Sequence, residues 1–251
     1  MSQTVEPIRL NAETLQAFTT YVADAEASMR ATTDPFLWAD ADLKRSSEVA
    51  KGKVLAQFWS GTKPIHVPQG LIHDWVGAAY IPRVKVSQVL RVVQDYDNHK
   101  QIYKPDVMES KLVTHAGDDF KIFLRLLKKK VISVVLDTEH AVHYSQISAT
   151  RWTCWSHTTS ISEVQNADAK DQKILQPDTG HGFLWRLNSY WRFEEKQEDV
   201  SIECRAISLS RDVPKALAWI IDPIVGKVPK ESLINTLNAT RKALHLAESP
   251  A

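Results

Sequence analysis

The stretch GFLWRLNSYWRFEE, residues 182–195, alternates between two chemically different sets of side chains. A period of two is typical of a β-strand, because successive side chains on a strand point to opposite faces of the sheet. One face of this strand is predicted to be mostly apolar, and the pattern alone does not say which face looks inward. The two sets are Phe183, Trp185, Leu187, Ser189, Trp191 and Phe193 on one face, and Leu184, Arg186, Asn188, Tyr190, Arg192 and Glu194 on the other.

Two further segments complete the pattern around this strand. Residues 200–209 also alternate and follow a short polar connection, so the two segments are predicted to pair as a hairpin. From Pro229 to Leu244 apolar residues recur at helical spacing, with Pro229 suited to the first turn and Glu231 complementing the helix dipole there. About 18 helical residues make a rod of roughly 28 Å, long enough to cross a whole sheet.

The composition is that of an ordinary globular chain. With 251 residues, of which 43% are hydrophobic, it can bury a sizeable core in one large domain or two small ones. The formal net charge of +1 argues against nucleic-acid binding, and the basic run 128–130 is predicted to be a solvated hairpin tip. The longest apolar runs are too short to cross a bilayer, so no stable membrane insertion is expected.

The sequence indicates neither a cofactor nor a metal. Cys154 and Cys204 lack the spacing of a metal finger and are expected to be small buried hydrophobes, although a disulfide stays open for an exported protein. His140 and His143 lie three apart, which on a strand places them on opposite faces. No secretory signal is recognised in the chain as given, so we expect a cytoplasmic protein unless this is the mature form of an exported one.

The order of elements predicts an α+β fold. Residues 1–69 are expected to form an N-terminal helical and hairpin extension, with Asn11 as a helix N-cap, packed on a main domain of residues 70–251. A curved antiparallel sheet wrapped around a long C-terminal helix would leave a gap that either packs solid or holds a ligand. The strands of the main domain, before the closing hairpin, are predicted at residues 70–82, 107–115, 119–127, 131–138, 140–146 and 150–164.

Three segments of the chain carry a resemblance to a known family. They are IPRVKVSQVLRVVQDYDNHKQIYKPDV at residues 81–107, the hairpin sequences FLWRLNSYWRFEE and ECRAISLSRDVP, and PKESL with TLNATRKAL in the last helix. These segments resemble the START-like superfamily, also called SRPBCC or helix-grip. The resemblance covers roughly residues 70–246. Within the superfamily, the chain is similar to a bacterial subgroup near the polyketide cyclases and lipid-transfer proteins. Because members share a cavity and not a reaction, it implies a fold more specifically than a function.

What the resemblance implies is a hydrophobic-ligand cavity between the sheet and the C-terminal helix. Large aromatic side chains would supply rigid apolar walls, and a few polar ones would orient a polar head group. The alternative is that the tryptophans fill the core and the arginines face water. The candidate ligand-binding residues are Trp155, His157, Trp185, Arg186, Tyr190, Trp191, Trp219 and Leu237.

Three functions follow from these expectations. The first is a non-enzymatic binding or transport protein for a lipid-like or polycyclic small molecule. The second is an enzyme of the polyketide cyclase or hydratase kind using the same cavity, in which His157, Tyr190 or Arg186 would move protons. The third is a protein-interaction module built on the N-terminal helix. Because the sequence has no HExxH, no GxSxG and no Gly-rich phosphate loop, no catalytic residue is assigned, and binding is favoured. The oligomeric state stays open.

Overall fold

A computed structural model describes residues 7–59, 61–129, 133–167, 169, 171–212 and 228–247. The fold is α+β, as predicted, with a large antiparallel sheet, N-terminal helices and one long C-terminal helix. The sheet does not close into a barrel. The helices of the protein are α1 (Ala12–Ala31), α2 (Leu43–Ala50), α3 (Val86–Val93), α4 (His99–Ile102) and α5 (Val228–Ala247), with 3-10 turns at Trp38–Ala41 and Tyr96–Asn98.

Twelve strands are present in the described part of the chain, and ten of them form the main sheet. The order across that sheet is β2-β4-β12-β11-β8-β7-β6-β5, with β3 also pairing β4 and β9 pairing β8, while β1 and β10 form a separate pair. The strands are β1 (Ile8–Arg9), β2 (Leu55–Phe58), β3 (Ile65–Val67), β4 (Gly70–Ile81), β5 (Val107–Ala116), β6 (Asp119–Lys129), β7 (Ser133–Gln146), β8 (Arg151–Gln165), β9 (Lys173–Ile174), β10 (Thr179–Gly180), β11 (Arg186–Lys196) and β12 (Asp199–Arg211).

The predicted hairpin is β11 and β12, which pair along their whole length from Arg186 with Leu209 to Lys196 with Asp199. In contrast, the two strands predicted at residues 131–138 and 140–146 are one continuous strand, β7. The prediction was wrong because the irregularity lies in the partner strand. Glu139 pairs with Ser160 and His140 pairs with Thr158, so the extra residue is on β8 and β7 keeps its alternation.

The helix α5 packs on the inner face of the sheet. Leu233 and Leu237 lie against β4 at Gly77, where a Cβ atom would come within 2.8 Å of the Leu55 carbonyl oxygen and 2.9 Å of Leu237 Cδ1. The main core fills this inner face with side chains from α3, the sheet and α5. Gly77 therefore sets how closely the helix approaches the sheet.

The helix α1 lies against the outer face. Asn11 caps it by accepting a hydrogen bond from the Glu13 N–H, as predicted. Its Phe18 and Ala25 pack with Tyr190 and other outer-face side chains of β4, β11 and β12 in a second core cluster. Within the same first 69 residues, β2 and β3 extend the edge of the sheet beside β4. Their pairing joins these residues to the sheet, and the boundary at residue 69 stays a prediction.

Candidate ligand-binding site

A cavity of about 290 Å³ lies between the inner face of the sheet and the start of α5. Ligand pockets in proteins usually span about 300 to 1,000 Å³, so this cavity suits a compact molecule. Its walls are mostly aliphatic and aromatic. The apolar residues that line it include Ile122, Leu124, Leu126, Val134, Leu136, Val142, Phe183, Leu184, Trp191, Phe193, Val228 and Leu233.

The alternation of β11 explains how its side chains reach this cavity. Leu187, Ser189, Trp191 and Phe193 all line it, so the apolar set is the inward one within the strand. Trp191 pairs in register with Cys154 on β8 and Cys204 on β12, which also line the cavity. The inward set therefore continues across three adjacent strands.

A row of uncharged polar side chains crosses the floor of the cavity. Ser208, Ser189 and Ser156 lie on three successive strands, between His73 on β4 and His140 on β7. Burial lowers the pKa of both His73 and His140 to about 4, so both imidazoles are neutral at physiological pH. The floor can exchange hydrogen bonds with a ligand without presenting a charge to it.

His73 has unused hydrogen-bonding capacity. Its Nε2 lies 3.0 Å from the Ser210 Oγ. Its Nδ1 is buried and has no hydrogen-bond partner within the described residues. At the other end of the row, His140 Nε2 lies 3.0 Å from Thr138 Oγ1, and Ser156 Oγ lies 3.3 Å from His140 Nδ1. An unsatisfied buried nitrogen costs free energy, which a ligand hydroxyl or a water could recover.

The hydroxyl and thiol groups that line the cavity are poor nucleophiles. Burial raises the pKa of Tyr103 to about 12, and its hydroxyl lies 3.1 Å from Thr240 Oγ1. Burial likewise raises the pKa of Cys154 to about 12, and that of Cys204 well above its usual value. Both cysteines are buried and free, on strands separated by β11. These thiols stay protonated and behave as small hydrophobes, as predicted.

The position of Lys128 differs from the sequence prediction. It was expected at a solvated hairpin tip, but it lines the cavity and its Nζ lies 3.3 Å from Asp106 Oδ1. Burial lowers the pKa of Lys128, while the adjacent carboxylate opposes that shift. The expectation failed because β6 continues to Lys129, so Lys128 alternates inward with the strand. The pair adds no net charge to the cavity wall.

The sequence-predicted site residues separate into different places. Trp191 lines the cavity, and Leu237 packs α5 against Gly77. Trp185 precedes β11 and is buried in the outer-face cluster, while Arg186 pairs with Asp178 at 2.5 Å. Trp219 lies outside the described residues.

The remaining three, Trp155, His157 and Tyr190, lie together on the outer face beneath α1. Glu26 Oε1 accepts a hydrogen bond from the Tyr190 hydroxyl at 2.9 Å and lies 2.8 Å from His157 Nε2. The Trp155 and Tyr190 rings meet edge to face with centroids 5.4 Å apart. These residues are held by the N-terminal segment, across the sheet from the cavity.

Sequence reasoning missed the polar residues of the cavity floor, above all His73, Ser156 and Ser208. The signal that points to them is parity along the strands. His73 shares a face with Trp75 and Gly77, and Ser208 alternates with the apolar residues Ile207 and Leu209. Single serines and histidines within apolar strands are common, however, and only the sheet order brings these three together.

The described residues form neither a metal site nor a membrane-spanning helix. No three His, Cys, Asp or Glu side chains in that part of the chain gather as a metal site requires. His140 is buried, whereas His143 is exposed and lies 2.8 Å from Asp119 Oδ1, so the two do not converge. Among the same residues, no helix is both long and apolar enough to span a membrane.

Comparison with known proteins gives structural matches only. No protein-family model and no curated protein sequence matches the chain. A STAR-related lipid transfer protein fragment from Xanthomonas axonopodis superposes with a TM-score of 0.50 at 15% identity, covering 72% of this chain and 96% of that one. The Zhui aromatase/cyclase from Streptomyces sp. R1128 superposes with a TM-score of 0.50 at 8% identity, covering 69% of this chain and 94% of that one. At such identities the likeness concerns the fold.

Proposed function

Because the chain has a START-like, helix-grip fold, we propose that it binds and carries a hydrophobic small molecule in the cavity between the sheet and α5. The ligand is lipid-like or polycyclic and compact, with a hydroxyl or carbonyl group that meets the polar row on the floor. The observation that carries this proposal is the cavity itself, which has apolar walls and an uncharged polar floor.

The chemistry of the lining favours carrying over catalysis. A histidine whose pKa is about 4 is a weak base, and this applies to both His73 and His140. His157, Tyr190 and Arg186, the candidates for a cyclase or hydratase, belong to other parts of the structure than this lining. A ligand in the cavity would meet donors and acceptors that fix its orientation but move protons poorly.

The two structural neighbours are consistent with either use of such a cavity. One is a STAR-related lipid transfer protein and the other is an aromatase/cyclase. One fold therefore hosts a carrier and an enzyme, and the choice between them depends on the side chains that line the cavity. The polar floor of this cavity, which carries no net charge and whose two histidines are weak bases, is the reason for choosing the carrier.

A fluorescence titration with N-phenyl-1-naphthylamine tests the proposal, because this neutral probe brightens in apolar cavities. Ala206 lies on β12 and lines the cavity, so Ala206→Phe places a ring inside it. We expect saturable binding to the wild type and at least about tenfold weaker binding to Ala206→Phe. Ala23→Phe makes the same change at an exposed position of α1 and is the matched control.

The two variants also define the contradicting result. Equal binding to the wild type and to a folded Ala206→Phe would place the probe elsewhere and remove the support for this cavity. Far-ultraviolet circular dichroism of each variant shows that it is folded, since overpacking a core costs about 1 to 3 kcal/mol.

A further inference from the structure

The outer face of the sheet carries a second depression, on the opposite side of the sheet from the cavity. This groove has a volume of about 1040 Å³ and lies between the C-terminal end of α1, with residues 32–38, and the outer faces of β6, β7, β8 and β11. Short side chains form part of its floor, because Ser145 on β7 pairs directly with Thr153 on β8. Larger residues rise on either side of them, which makes the surface concave.

The sides of the groove are built from aromatic rings with guanidinium groups stacked on them. The Arg30 guanidinium carbon lies 4.5 Å from the centroid of the Trp155 ring. Arg151 and Arg192 lie 5.1 and 5.3 Å from the centroid of Phe36. A stacked guanidinium keeps its N–H groups in its own plane, where they remain available to an acceptor beside the ring.

Some N–H groups of these arginines have no hydrogen-bond acceptor among the described residues. Arg30 uses only Nη2, on Glu26, which leaves its Nε and Nη1 without a hydrogen bond there. Arg151 uses Nε and Nη2 on Glu194, which leaves Nη1. Arg192 donates to backbone carbonyl oxygens and to no carboxylate within the described chain.

One arginine of the groove is deeply buried and has an N–H donor without a partner among the described residues. Arg205 is 4% exposed and binds Asp74 through Nε and Nη2, at 2.9 and 2.6 Å. Its Nη1 has no partner within the described residues, and its guanidinium stacks 4.0 Å from the centroid of Trp59. Because Asp74 neutralises this guanidinium, Arg205 adds an unused buried N–H donor to the groove and no net charge.

We propose that the groove is a second binding site, which takes a flat aromatic molecule bearing a carboxylate. The ring would lie over the short side chains of the floor, beside Trp155 and Phe36. The carboxylate would accept hydrogen bonds from the free guanidinium edges of Arg30 and Arg151, since planar N–H donors match a carboxylate. This ligand is chemically distinct from that of the cavity, whose floor carries no net charge.

Titration calorimetry with 2-naphthoate and 2-naphthol tests the site, because the two probes share a ring system and differ in charge. Because 2-naphthol also has the size and hydroxyl group expected of a cavity ligand, the comparison uses Ala206→Phe, in which the cavity is filled. In that background the protein is expected to bind 2-naphthoate about tenfold more tightly than 2-naphthol at low salt. Arg30→Met keeps an apolar cover on Trp155 and should remove most of that preference. Arg91→Met, at an exposed position of α3, is the matched control and should leave it unchanged.

A second pair of variants locates the binding. Thr153→Trp fills the floor of the groove and should weaken 2-naphthoate binding at least about tenfold. Thr20→Trp makes the same change at an exposed position of α1 and should have no effect. Absence of saturable 2-naphthoate binding, equal binding of the two probes to Ala206→Phe, or loss of 2-naphthoate binding in Ala206→Phe while Thr153→Trp still binds it would each overturn the proposal. The last result would place the acid in the cavity and leave the carrier proposal standing.

Discussion

Glu203 is a carboxyl group buried where the N-terminal segment meets the sheet. It accepts a hydrogen bond from the Trp38 N–H at 2.5 Å and is 5% exposed. Burial raises the pKa of Glu203 from 4.5 to about 7, although the Arg192 charge and two backbone N–H groups oppose the shift. The folded protein therefore holds this proton more tightly than the unfolded chain does.

Because its pKa is raised, Glu203 contributes less to the stability of the fold as the pH rises. The stability contributed by Glu203 is fully present below about pH 4.5 and is lost as the pH rises towards 7. We expect the free energy of unfolding of Glu203→Gln, relative to that of the wild type, to increase by up to about 3 kcal/mol between about pH 5 and about pH 8. Urea unfolding at the two pH values measures the difference, with the exposed Glu198→Gln as control. A difference that does not change with pH would contradict this assignment.

At the scale of elements, the contact between α5 and β4 depends on the absence of a side chain at Gly77. A Cβ atom there would lie 2.8 Å from the Leu55 carbonyl oxygen and 2.9 Å from Leu237 Cδ1. We expect Gly77→Ala to destabilise the protein by about 1 to 3 kcal/mol, because α5 must shift outward. Chemical denaturation gives the free energy of unfolding.

A double-mutant cycle separates the helix from the backbone contribution. Leu237→Ala removes the nearer of the two α5 atoms that a Cβ at position 77 would meet, so Gly77→Ala should cost less in that background. The relief should be partial, since the Leu55 carbonyl oxygen and Leu233 Cδ2 stay in place. Strictly additive effects of the two substitutions would show that α5 does not approach β4 as described.

The strand β11 shows what its alternation could predict and what it could not. The period of two correctly grouped Leu187 with Trp191 on one face and Tyr190 with Arg192 on the other. The pattern could not say that both faces are covered, because the cover comes from α1 and α5, which are distant in sequence. Large aromatic residues on both faces were therefore assigned to one cavity, while the structure divides them between two sides of the sheet.

At the scale of the whole molecule, the order of elements was enough to predict an α+β fold with an antiparallel sheet and a long C-terminal helix, and the resemblance to the START-like superfamily implied the helix-grip architecture. The order of the strands across the sheet was less accessible, because β4 pairs with β12 at the opposite end of the chain. That long-range pairing aligns His73 with Ser208 and so creates the polar floor of the cavity. The site could be predicted as a cavity with apolar walls, whereas its polar residues required the assembled sheet.

The most direct test of the account is native mass spectrometry of the protein purified from its own host, followed by denaturing extraction of any small molecule. We expect one equivalent of a compact, uncharged hydrophobic molecule with a hydroxyl or carbonyl group. The same molecule should be absent from Ala206→Phe, in which a ring occupies the cavity, and present in Ala23→Phe. A wild-type protein that carries no small molecule, or an Ala206→Phe variant that carries the same one, would contradict it.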